Sequence, residues 1–218
     1  MLKNILKKKG YIVSEFKYCK NIFPGNNRSE LITKVKANVS DYRFNHILGV
    51  EKSARQLARR FDYDEEQASI AALVHDYAKE KKSEEFKEKI ITLGLDKDLL
   101  NWNNFIWHGV VGAEFIKEEL GIVDERILNA VRRHTVGAAK MTTLDKIIYV
   151  ADFIEESRDF PGVGKARQLA MTDLDIAVAY ETKHTLEYLL KQNKTIYPAA
   201  ILTYNAYVAG RDMEDFNG

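Results

Sequence analysis

The 218-residue chain is predicted to fold as an all-α protein, a compact helical bundle. Three observations predict this. Apolar residues recur at helical spacing through most of the chain, as in Ile47, Val50, Ala54, Leu57 and Phe61. Only three prolines interrupt it, which favours long helices. No stretch alternates apolar and polar residues between hairpin turns, as strands would.

The elements follow in order. Residues 1–27 read as a basic N-terminal extension of unknown structure, rich in lysine (Lys3, Lys7, Lys8, Lys9) and closed by the turn Phe23-Pro24-Gly25-Asn26-Asn27. Residues 28–218 read as one domain. Ser40 or Asp41 caps the helix of Ile47 to Phe61. Asp64, with Gln67 three residues on, opens a second helix that is apolar nearly all round and so belongs in the interior. Residues 81–100 are charged with an amphipathic rhythm, and Asn101-Trp102-Asn103-Asn104 reads as a loop. A helix from about Trp107 stops at Gly121. Asp124 caps the next, with Ile127, Ala130, Val131 and His134 on one face. Thr142-x-x-Asp145 opens the helix of Ile148, Tyr149, Ala151 and Asp152. Asp159-Phe160-Pro161-Gly162 is a turn. Thr172-Asp173 caps a long helix to about Gln192. Pro198 suits the first position of the last helix.

Composition excludes several classes. The net charge of +1 gives no field that would recruit nucleic acid or an anionic membrane. Cys19 is the one cysteine, so an intrachain disulfide and a thiolate cluster are both excluded, which fits a cytoplasmic protein. No membrane span or signal peptide is expected. The glycine-rich fingerprints of dinucleotide and P-loop sites are absent.

The chemistry concentrates in histidines. His75-Asp76 ends the apolar stretch that begins at Ala68, and both side chains are costly to bury unless paired or bound to a metal. His46, His108 and His134 also lie on or beside apolar faces, and Asp152 sits among Val150, Ala151, Phe153 and Ile154. One histidine alone would be a hydrogen-bonded core residue. Four imidazoles and two carboxylates in one small core ask for a cation, and neutral imidazole with carboxylate suits Fe, Mn, Zn, Ni or Co. Arg43 and Lys79 lie within a turn of these residues, where each has phosphate contact or a surface salt bridge open to it. His184 has no partner pattern and reads as non-functional.

The order His46, His75-Asp76, Asp152 resembles the HD-domain metal-dependent phosphohydrolase superfamily. Tyr42-Arg43-Phe44-Asn45-His46, His75-Asp76-Tyr77-Ala78-Lys79, Arg133-His134-Thr135, Tyr149 to Glu155 and Arg158 to Val163 resemble its YqeK-type branch of symmetrical bis(nucleosyl)-tetraphosphatases. The resemblance runs from about Ser29 to about Ala209. It implies that His46, His75, Asp76 and Asp152 hold iron, one or two ions, with Mn, Ni, Co or Zn as substitutes. His108 and His134 would complete a second metal position or contact phosphate. Asp76, Lys79, His108 and His134 would be catalytic. Arg43, Lys79, His108, His134, Thr135, Asp152, Arg158, Tyr197 and Pro198 would bind substrate. The implied reaction is symmetrical hydrolysis of diadenosine tetraphosphate to two ADP by a metal-activated water. The implied partner is a small-molecule dinucleoside polyphosphate, with homodimerisation left open. Two alternatives stand beside it. One is another HD-type nucleotide phosphohydrolase, a nucleotidase or alarmone hydrolase. The other is a non-catalytic helical binding module that contains a metal.

Overall fold

The computed structural model describes residues 17–212 and residue 216; the first sixteen residues of the expected N-terminal extension lie outside them. The described residues form eleven α-helices and one 3-10 helix, with a single isolated β-bridge between Lys17 and Asn27. The helices are α1 (Arg28–Asn38), α2 (Asp41–Arg60), α3 (Glu65–Val74), α4 (Ser83–Thr92), α5 (Asn104–Val110), α6 (Gly112–Leu120), α7 (Glu125–Arg133), α8 (Thr143–Ile154), α9 (Val163–Ala170), α10 (Leu174–Lys191) and α11 (Pro198–Tyr207). The 3-10 helix is Lys97–Asn101. None of these helices is long and apolar enough to cross a membrane.

α3 is the axis of the bundle. It is buried from Glu66 to Val74 and packs against α1, α2, α7 and α8. A helix apolar on every side has no face to give to water, so its neighbours must surround it. Its start is fixed by Asp64, whose carboxylate accepts from the Glu66 and Gln67 amides. Gln67 returns a bond to the Asp64 side chain, not to its backbone, so the expected capping box is only half formed. Thr142 and Asp145 make the full reciprocal box at the start of α8. Ser40, Asp124 and Asp173 cap α2, α7 and α10 as expected, and Pro198 is the first residue of α11.

The structure departs from the sequence reading at four places. α1 and α9 carry short apolar patterns that the periodicity did not reveal. The helix expected from Trp107 to Gly121 is two helices that meet at Val111. It begins earlier, because the Asn103 side chain caps the Phe105 amide. Residues 17–27 are packed: Tyr18, Ile22 and Phe23 are buried in the main core, and the Cys19 and Lys20 amides donate to Glu66.

Candidate metal centre and anion-facing cleft

Five elements deliver side chains to one point in the bundle. His46 lies on α2, and His75 and Asp76 follow directly on the last turn of α3. His108 lies on α5, His134 directly follows α7, and Asp152 lies on the last turn of α8. The four histidines and Asp76 are buried. Gly109 makes one of these approaches possible. A Cβ there would stand 3.1 Å from the Val131 carbonyl oxygen and 3.3 Å from the His134 ring, so glycine lets α5 close on α7. The His108 and His134 rings then meet edge to face at 4.9 Å.

Hydrogen bonds fix the tautomer of each of these four histidines. Nδ1 of His75 lies 2.7 Å from the Ala72 carbonyl oxygen, Nδ1 of His134 lies 2.7 Å from that of Val131, and Nδ1 of His108 lies 2.6 Å from that of Asn104. Nδ1 of His46 lies 3.1 Å from Glu155 Oε1. A carbonyl or carboxylate oxygen can only accept, so each Nδ1 carries the proton and, in the neutral ring, each Nε2 carries a lone pair. All four lone pairs face the Asp76 carboxylate.

The four differ in what meets them. Lys79 Nζ lies 3.1 Å from His108 Nε2, and the Thr135 hydroxyl lies 3.0 Å from His134 Nε2, so protein donors are at hand for that pair. The Nε2 atoms of His46 and His75 are buried with no hydrogen-bond partner among the described residues. They stand 3.6 and 3.5 Å from Asp76 Oδ2, and His46 Nε2 stands 3.1 Å from Asp152 Oδ1. Acceptors this close repel unless a cation lies among them. Ligand atoms at about 2.1 Å from a metal stand ~3 to 3.5 Å apart. These residues therefore fit a divalent cation. His46, His75 and Asp76 group within reach of one ion, as do Asp76, His108 and His134. The centre is thus a cluster of imidazole and carboxylate groups whose spacing suits a divalent cation.

Electrostatics agrees. Burial works against charge on His46, but the neighbouring carboxylates of Asp152, Glu155 and Asp76 outweigh it and lift the pKa to about 9: the carboxylates demand a positive charge. His75 lacks such partners, and burial pushes it down to about 4, so it stays neutral. Burial opposes charge on Asp76, but its carboxyl is held below the usual carboxylate range, with the Lys79 cation among the groups that favour the ionised form.

Cations line the outer side. Arg43 Nη1 donates to Asp76 Oδ2 at 2.6 Å, while its Nε is buried without a partner. Burial lowers the Lys79 pKa, and the carboxylates of Asp76 and Asp152 oppose that. Arg158 is less free than expected: its Nη2 donates to Asp152 Oδ1 at 2.5 Å and its Nε to the Asp152 carbonyl oxygen at 2.9 Å. Tyr197 packs edge-on against Trp102 at 4.8 Å, and the Thr203 hydroxyl donates to the Val136 carbonyl oxygen, which ties α11 to the segment that carries Thr135. His184 lies away from this point, among Phe153, Phe160 and Tyr180.

Sequence reasoning missed Glu155 as a site residue. It follows α8, is buried, and accepts from the Ser157 amide and hydroxyl while it orients His46. Burial pushes its pKa up, but His46 and Ser157 hold it at about 2. The available signal was Gly49 inside α2: a Cβ there would stand 2.6 Å from Glu155 Oε2, so glycine clears the space for that carboxylate.

Comparison with known proteins adds to this geometry. The HD-domain family model matches residues 43–156. A Bacillus subtilis protein named bis(5'-nucleosyl)-tetraphosphatase, symmetrical, is 45% identical over 184 residues, which cover 84% of this chain and 99% of the relative. A Halalkalibacterium halodurans protein of the same name is 40% identical over 179 residues, 82% of this chain and 96% of that one. Among solved structures, a Clostridium acetobutylicum protein described as a predicted HD superfamily hydrolase involved in NAD metabolism superposes with a TM-score of 0.79 at 33% identity, covering 84% of this chain and 97% of that chain.

Proposed function

The chain belongs to the HD-domain family, in its symmetrical bis(5'-nucleosyl)-tetraphosphatase branch, and from that membership we infer that it hydrolyses diadenosine tetraphosphate to two ADP. The observation that carries the chemistry is the contrast among the four Nε2 atoms. His46 and His75 have no protein donor, whereas His108 and His134 have Lys79 and Thr135 beside them.

His46, His75, Asp76 and Asp152 would hold the cation, taken as iron by resemblance to the family, with Mn, Ni, Co or Zn as substitutes. When bound, it supplies Lewis acidity toward a phosphoryl oxygen and lowers the pKa of water at that point. The imidazole tautomers are preset, His75 by the Ala72 carbonyl and His46 by the Glu155 carboxylate, so both rings already aim their Nε2 atoms at the centre.

The rest falls to the chain's own side chains. Arg43 presents its unpaired Nε to one side of the polyphosphate, where a guanidinium grips oxygens in a fork. Lys79 Nζ and the Thr135 hydroxyl, beside His108 and His134, hold the oxygens of the departing ADP as charge develops on them. Arg158 fixes Asp152 and thereby acts on substrate at one remove. Tyr197 and Pro198, at the start of α11, place one adenosine against the aromatic wall that begins at Trp102. With Asp76, His108 and His134 also able to group around an ion, metal analysis distinguishes one bound ion from two. The single cysteine fits the assignment of the protein to the cytoplasm.

Chromatography of products after loading with iron or manganese tests the reading. ADP alone is expected, with ATP a poorer substrate because it lacks the second nucleoside. AMP with ATP would place the cut at the wrong anhydride, and preference for a mononucleotide or alarmone would favour another HD-type phosphohydrolase.

A further inference from the structure

Symmetrical cleavage poses a problem of measurement. The substrate has the same nucleoside at both ends, and the water must meet the middle of a chain of four phosphates. A site that grips one end alone counts phosphates from that end; a site that grips both finds the centre directly. The Trp102 and Tyr197 wall serves one end, and no side chain so far described meets the base at the other.

The N-terminus of α2 carries one that fits. Tyr42 is 78% exposed. Exposed aromatic residues are common, and exposure by itself decides nothing. Its surroundings decide. The Arg43 guanidinium stands 5.9 Å from the Tyr42 ring centroid, with Nη1 on Asp76 Oδ2 and Nε buried without a partner. A buried donor left unmet in a native site asks for an acceptor from outside, and a phosphate oxygen suits it. The backbone beneath the ring is also held in place. Glu80 accepts from the Ser40 amide at 2.7 Å and the Ser40 hydroxyl at 2.6 Å, which locks the first turn of α2 to the segment that carries Lys79. Asp76 sets the direction: Oδ2 faces Arg43, whereas Oδ1 faces His108 at 3.4 Å, on the helix next to Trp102. The neighbour of Tyr42 thus meets one oxygen of this carboxylate, and a histidine on the helix that follows Trp102 faces the other.

We propose that Tyr42 is the stacking platform for the second purine base of the dinucleotide, with Arg43 Nε donating to a phosphate oxygen of that half. The inference rests on the tetraphosphatase reading and extends it to substrate selection. A purine offers a π face to the exposed ring, and stacking on an aromatic side chain holds a base whatever its sequence context. Tyr42 is not among the proposed metal ligands, so its role is in recognition of the second half and not in the chemical step.

The test compares a ligand with two bases and a ligand with one. KM for diadenosine tetraphosphate and the inhibition constant for ADP are measured on the metal-loaded protein and on its Tyr42→Ala and Tyr42→Trp variants. Tyr42→Ala is expected to raise KM about ten-fold, as loss of one stacked base predicts. The ADP constant is expected to stay within about two-fold, because ADP prefers the Trp102 side, and Tyr42→Trp is expected to restore KM. An unchanged KM overturns the proposal. So does a parallel rise in KM and in the ADP constant, which would put Tyr42 in the first nucleotide's pocket, and so does failure of tryptophan to rescue. Wild-type protein that yields no ADP from the dinucleotide overturns the tetraphosphatase reading and this inference with it, a failure visible before any variant is made.

Discussion

Two buried polar clusters share helices α2 and α3, and they are built on opposite rules. One is the metal centre at His46, His75 and Asp76. The other centres on Glu51 and Ser69, five residues along α2 from His46 and six back along α3 from His75. At the second, every group finds a partner within the protein. Arg28 grips both Glu51 oxygens, Ser69 donates to Glu51 at 2.6 Å, and Tyr18 meets Ser69 at 2.9 Å. At the first, two ring nitrogens and one guanidinium nitrogen go unmet. A satisfied network specifies a fold; a network with unmet groups converging on one point specifies a ligand.

Four experiments test that contrast. The largest expected effect is at the unmet cluster. Asp76→Ala or His75→Ala should abolish both bound metal and ADP formation, as read by metal analysis and chromatography. Full metal occupancy in both variants would remove the ligand assignment. The mirror experiment is Glu51→Ala. It leaves a buried guanidinium uncompensated, which costs about 3–5 kcal/mol. Urea unfolding should record that loss while metal content per folded molecule stays unchanged. A loss of metal there would show that the two clusters are not separate devices.

Glu155 stands between the two, since it is itself satisfied yet orients a ligand. Glu155→Ala should weaken metal binding by about 10–100-fold, as removal of an outer partner of a ligating histidine does, with Glu155→Gln less affected. Competition with a chelator measures it, and equal affinity in both variants would return Glu155 to a purely structural part. The smallest effect concerns Glu181, buried with one oxygen unpaired. Burial, reinforced by Asp152, raises its pKa well above the ordinary 4.5. The folded state keeps a proton there that the unfolded state releases, so this group costs stability increasingly as pH rises from 4.5 toward its folded pKa. Glu181→Gln removes the cost. Its melting temperature should exceed wild type by about 2 °C or more at pH 8 and match it near pH 4. An advantage that does not grow with pH would show that Glu181 is charged in the fold.

The contrast also explains what was legible in the sequence. Histidine and aspartate are conspicuous inside apolar runs, so His46, His75, Asp76, His108, His134 and Asp152 stand out from residue pattern alone. Helix starts were equally plain where a side chain caps an amide, as at Asp64, Asp124 and Thr142. Glu155 was not, because it lies just past the end of α8, where periodicity gives no information, and it is one of 32 acidic residues. Tyr18, Ile22 and Phe23 were hidden by the lysines around them. Deletion of residues 1–27 would take Tyr18 from the Glu51 network and open the core beneath Phe23. A cut that keeps residues 17–27 is the one expected to leave hydrolysis intact.

Three of the four histidines take their orientation from a carbonyl three or four residues back on their own chain: Ala72 for His75, Asn104 for His108 and Val131 for His134. Only His46 depends on a residue distant in sequence. Most of the centre's internal order is therefore carried by short, self-contained words of sequence. A lineage can rewrite the helices around such words, so long as they keep converging, without disturbing the aim of the rings. An engineer can borrow the same words: a histidine at the end of a buried helix, locked by its own last turn, is a ligand that can be carried to another bundle with no supporting cast.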